Sequence, residues 1–189
     1  MAERLFKLGH YCSSEWREHS HAPVFRREAT AGGGERLVAG VPSGDSAIFA
    51  SLVTTVQPPY FLLYILHTPR GEGEPGRYQS PEIGLDDFQR FLQGFSAFLA
   101  GDSRFDLWAH SSTDEATIVW DRHNLLYAYG PLDKFEGALR NAGFEDGEPT
   151  LAFAHRHYYR AEFDKQAAEL LAAFDWHRTP LRPEDEQHV

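Results

Sequence analysis

The sequence predicts an α+β domain built on a mixed β-sheet, with helices mainly on one face and a further helix at the C-terminus. Three observations carry that expectation. Short β-rich apolar runs recur along the chain, a phenylalanine-rich stretch repeats at helical spacing, and the order strand, helix, strand occurs twice with matching residues.

The chain has 189 residues, 42% hydrophobic and 14% aromatic, enough for one core without covalent staples. Residues 1–44 are polar and His-rich, broken by Gly32-Gly33-Gly34 and closed by the turn signal Pro42-Ser43-Gly44-Asp45. This segment is expected to be irregular or to cover the sheet. The folded domain is expected over 45–177, and the proline-bearing tail 178–189 is expected to be loose.

Residues 47–56 and 60–66 read as a β-hairpin joined by Gln57-Pro58-Pro59, the second run apolar on both faces as central strands are. A helix follows over 85–100, where Phe88, Phe91, Leu92, Phe95, Phe98 and Leu99 share a stripe. Asp86 and Asp87 suit its first turn and Gly101 its end. Strands are predicted at 104–110, 116–120 and 125–129, then a helix from Pro131 to Gly143. A strand at 151–158 and a helix carrying Phe163, Ala167, Leu170, Leu171 and Phe174 on one stripe complete the domain.

Two parts of the chain match. Leu62-Leu63-Tyr64 answers Leu125-Leu126-Tyr127, Leu85-Asp86-Asp87-Phe88 answers Leu132-Asp133-Lys134-Phe135, and Ala109-His110 answers Ala154-His155. With a hairpin strand ahead of each, the expected unit is a tandem β-β-α-β repeat over 45–110 and 116–158, with an insertion inside 68–84. A crossover helix joins parallel strands, so 60–66, 104–110, 125–129 and 151–158 are expected to share a heading in one sheet. Their C-terminal edge would then gather His67, Arg70, Arg77, His110, Ser111, Asp114, Tyr129, His155 and His157 as binding residues, on the side where open sheets take ligands.

Neutral imidazoles ligate metals and titrate near pH 7, which makes that edge a candidate for chemistry. His155 and His157 lie two apart on a strand and face one side, and with His110 they form the predicted metal set. The pairs His10-x-Cys12 and His19-x-His21 match no usual zinc-finger spacing and read as a solvated polar segment. Asp121-Arg122-His123-Asn124 reads as a tight turn between strands, because an opening Asp and an Asn tolerant of positive φ are what such turns require. Ser111-Ser112-Thr113-Asp114 lacks a nucleophile elbow, and neither Gly32-Gly33-Gly34 nor Gly71-Glu72-Gly73-Glu74 is followed by the Lys and Ser/Thr of a phosphate loop. The cofactor is therefore left unassigned.

With 18 basic and 28 acidic side chains, the net charge of −10 repels phosphate backbones and argues against nucleic acid as a partner. No apolar run is long enough for a membrane span or a leader, and Cys12 is the lone cysteine, so the expected setting is cytoplasmic without a membrane. Strand aromatics such as Trp108, Tyr127 and Tyr129 would leave a sheet face fit for a partner protein or a homodimer if nothing covers it. Two functions follow as expectations. The first is a small-molecule- or protein-binding module using the shared strand edge; the second is a small metal-assisted or histidine acid/base enzyme at the same edge.

Overall fold

The computed structural model describes residues 4–185. In chain order its elements are β1 (Leu8–Cys12), β2 (Glu15–Glu18), β3 (Val24–Ala29), β4 (Glu35–Gly40), α1 (Ser46–Val53), β5 (Tyr60–Leu66) and β6 (Gly76–Gln79). Then come α2 (Leu85–Gly101), β7 (Phe105–Ser111), β8 (Ala116–Trp120), β9 (Leu125–Tyr129) and α3 (Leu132–Asn141). The chain ends with β10 (Glu145–Asp146), β11 (His155–His157), α4 (Asp164–Leu171) and β12 (His177–Thr179).

Nine strands form a mixed sheet in the order β10-β3-β4-β9-β8-β7-β5-β6-β12, while β11-β1-β2 make a smaller antiparallel sheet. In the large sheet the β10–β3 pair is parallel and the other neighbours are antiparallel. The protein is thus α+β with a mixed sheet, but its strands do not share the expected heading.

The reason lies in β6, a short strand inside the stretch read as an insertion. It turns the chain back before α2, so the parallel crossover runs from β6 to β7 with β5 between them. β5 and β7 are therefore antiparallel, with Tyr60 opposite Ser111 and Leu66 opposite Phe105. Likewise α3 leads from β9 to the two-residue β10. Of the strand expected at 151–158 only His155–His157 forms, and it belongs to the small sheet.

Residues 47–56 are helical over most of their length rather than extended. Asp45 caps α1 by accepting the Ala47 N–H at 2.9 Å, and Phe49, Leu52 and Val53 are fully buried. A short apolar run buried on most sides has no periodicity that separates helix from strand. The N-terminal segment supplies four strands, two in each sheet. Of the tail, β12 pairs with β6, and the buried Asp185 carboxylate accepts from Arg77; residues 186–189 lie outside the described residues.

Alternation along the central strands puts Tyr60, Leu62, Tyr64 and Leu66 of β5, Phe105, Leu107 and Ala109 of β7, and Leu126 and Ala128 of β9 into one apolar core. Phe49, Phe88, Phe98, Phe135 and Leu170 from the four helices join it. Each such buried large side chain contributes roughly 1.5–3 kcal/mol. The intervening residues Phe61, Leu63, Trp108, His110, Thr117, Tyr127 and Tyr129 are only half-buried. Among the described residues, no helix is long and apolar enough to cross a membrane.

Candidate metal centre

The predicted edge does not assemble. His67 follows β5 and binds the Asp106 carboxylate through Nε2 at 2.8 Å, whereas His110 and Ser111 sit at the opposite end of the β5–β7 ladder. His110 Nδ1 lies 3.0 Å from the Thr117 hydroxyl, and the Ser111 hydroxyl donates to the Gln57 carbonyl at 2.6 Å. Asp114 accepts the Gln57 N–H at 2.7 Å, tying the same loops together. Arg70 is paired with Asp164, Arg77 with Asp185, and the Tyr129 hydroxyl accepts from Arg36 at 2.8 Å. His110 is therefore not a metal partner of His155 and His157, which stand in the other sheet.

Those two histidines instead meet His123. On β11 they alternate onto one face, opposite His10 and Leu8 of β1. His123 reaches that face from the β8–β9 turn. The turn has the chemistry expected of it: Asn124 has φ 60°, and Asp121 Oδ1 accepts the N–H groups of His123 and Leu125 at 2.9 and 2.8 Å. What the turn reading hid is that a turn can also present a ligand.

Lys7 and His21 tie the N-terminal segment to the large sheet here. Lys7, fully buried just before β1, donates to the Asp121 carbonyl at 3.2 Å and lies over the Trp120 and Phe105 rings at 4.0 and 4.7 Å. Burial pushes its ammonium down to about 8, against the pull of Asp121, Asp106 and Asp102. His21 Nε2 donates to the His123 carbonyl at 2.9 Å, and Gly40 lets it come close, since a Cβ there would stand 2.6 Å from the His21 Cβ.

One nitrogen from each of His123, His155 and His157 lies within 4.8 Å of the other two. Their rings meet edge to face, with centroids 4.9–5.4 Å apart. Tetrahedral ligands about 2.0–2.1 Å from zinc stand roughly 3.3 Å from one another, so the rings would close in on an ion. The outer nitrogens are already directed. His123 Nδ1 faces the buried Asp121 carboxylate at 3.2 Å, and His155 Nδ1 donates to the Phe153 carbonyl at 3.0 Å. Both leave Nε2 as the free lone pair, the arrangement that orients metal-binding histidines. His157 Nδ1 is buried and has no protein partner.

The electrostatics disfavour a charge on His157 and, beside the cluster, on His19. Burial, then the neighbouring His123 and His155, lowers His157 to about 3; burial, then His21, His10 and His155, lowers His19 to about 4. Neutral imidazole is the form that ligates metal. Nearby, burial raises the Asp106 carboxyl, but the His67 hydrogen bond and charge and the Arg122 N–H outweigh it and hold it below its ordinary value.

Comparison with known family models, with curated proteins and with solved structures found no match. Sequence reasoning therefore found two of the three clustered imidazoles and missed His123, along with the supporting His10, His19 and His21. The usable signal was the His-x-His alternation at 155–157, which on a strand puts both rings on one face.

Proposed function

We propose that this chain holds one divalent transition-metal ion on His123, His155 and His157 and uses it in a metal-assisted acid/base reaction on a small molecule. The carrying observation is the convergence of three imidazoles, two of them oriented by Asp121 and the Phe153 carbonyl. An all-imidazole donor set favours zinc, copper, nickel or cobalt over magnesium or calcium. Three protein ligands leave a tetrahedral ion one position for water, and such a bound water ionises near neutral pH. His155 and His157 are half-buried, so solvent reaches the cluster.

The test is a titration of chelator-stripped protein with Zn(II) and Co(II), followed by elemental analysis after desalting. One equivalent is expected, with retention lost in His123→Ala and in the His155→Ala, His157→Ala double variant while the fold survives. Equal metal retention by wild type and double variant would overturn the reading.

A second reading, a binding module, is supported by one different observation. A recess of 330 Å³ on the half-buried sheet face is lined by Phe61, Leu63, Gln79, Trp108, His110 and Thr117. It suits a small apolar molecule or a side chain of a partner protein or second copy. Loss of ligand-induced shifts in Trp108→Ala, with metal binding intact, would favour this reading over the first.

A further inference from the structure

We propose that His10 is a fourth, movable ligand of the same centre, closing the metal's open position in one state and releasing it in another. This rests on the three-histidine reading above. In register, His10 stands directly across from His155 on the neighbouring antiparallel strand. Side chains so placed share a face, with Cβ atoms about 4.5–5.5 Å apart.

The His10 ring is now turned aside. It packs on Phe153 with centroids 4.6 Å apart and meets the edge of His19 at 5.8 Å. In that pose its Nδ1 is buried and has no hydrogen-bond partner. Leaving a buried polar nitrogen unpaired costs on the order of 1–3 kcal/mol, and a group left so calls for a physical reason. With its lone pair on Nδ1, the nitrogen left unsatisfied on Phe153 gains a partner when the ring swings beside His155 and donates to the ion.

The neighbours do not compete for that role. His19 Nε2 already faces His21 Nδ1 at 3.4 Å, and His21 Nε2 donates onward to the His123 carbonyl, so that chain is complete. Cys12 shares the face but lies beyond the last β1–β11 pair, opposite Glu15 of β2. With His10 engaged the ion has four nitrogens and no water; with His10 on Phe153 it has three and an open position. The two states are a resting and a working form of one site.

The experiment loads full-length wild type, His10→Ala and the near-isosteric His10→Gln with Co(II). It reads affinity by chelator competition and the visible spectrum during azide titration. We expect affinity to fall at least about tenfold in both variants, and azide to perturb their spectra at lower concentration than in wild type. Metal-free His10→Ala loses the orphaned nitrogen together with the ring packing on Phe153, so it should melt close to wild type. Matching affinities and azide curves in all three proteins would sink the role of His10 while leaving the three-histidine site standing. Failure of wild type to bind Co(II) at all would sink both.

Discussion

The Asp121 carboxylate holds His123 twice: one oxygen accepts its backbone N–H at 2.9 Å and the other faces its ring Nδ1 at 3.2 Å. Turn geometry and ring tautomer are therefore set by a single side chain. In Asp121→Asn the new amide donor faces Nδ1, which favours the tautomer whose proton sits on Nε2, the nitrogen that would face the proposed ion. We expect metal affinity to drop about 10- to 100-fold with the turn intact, read by chelator competition.

Lys7 should leave a signature at alkaline pH. Its pKa is about 8 when folded against 10.5 ordinarily, so between those values the unfolded chain keeps a proton that the folded chain sheds. Stability should rise with pH through that window, at up to about 1.4 kcal/mol per unit, and be flat in this respect below pH 8. Lys7→Met should abolish the rise in urea midpoints measured from pH 7.5 to 10.

On the acid side the half-buried imidazoles act. His157 and His19 are lowered to about 3 and about 4 from 6.5, so below pH 6.5 the unfolded chain takes up protons that the folded chain refuses. Their contribution is complete above that pH and is lost as pH falls toward 4. Metal-free His157→Gln should therefore lose less stability between pH 7 and 4.5 than wild type does; an identical loss would contradict the assignment.

Arg104 is a further buried charge, and its partners are specific. It contacts Asp102, Glu72 and Asp164, and the side chains of Arg104, Asp102 and Glu72 are at most 1% exposed. Arg104→Met strands the two buried carboxylates without a counter-charge and should cost about 3–5 kcal/mol in equilibrium unfolding. Far smaller destabilisation would mean that water replaces the guanidinium.

The elements that were legible are those with long, clean periodicity. The stripe of Phe88, Phe91, Phe98 and Leu99 gave α2, and the apolar run at 60–66 gave β5. The heading of β7 was not legible, because it depends on β6, four residues that open on a glycine. The site was half legible for a similar reason. His155 and His157 alternate in plain view, but their third partner sits 32 residues upstream in a turn whose sequence is fully explained as a turn. Its place beside His155 and His157 appears only when the small sheet is laid against it.

The large sheet finishes at both rims in very little backbone: β10 has two residues and β12 has three. Another chain seeking to lengthen the sheet finds few free amides and carbonyls to zip onto, which disfavours the rim-to-rim stacking that leads to fibrils. The stubby margins thus give a nine-stranded array resistance to self-templated growth without closing it into a barrel.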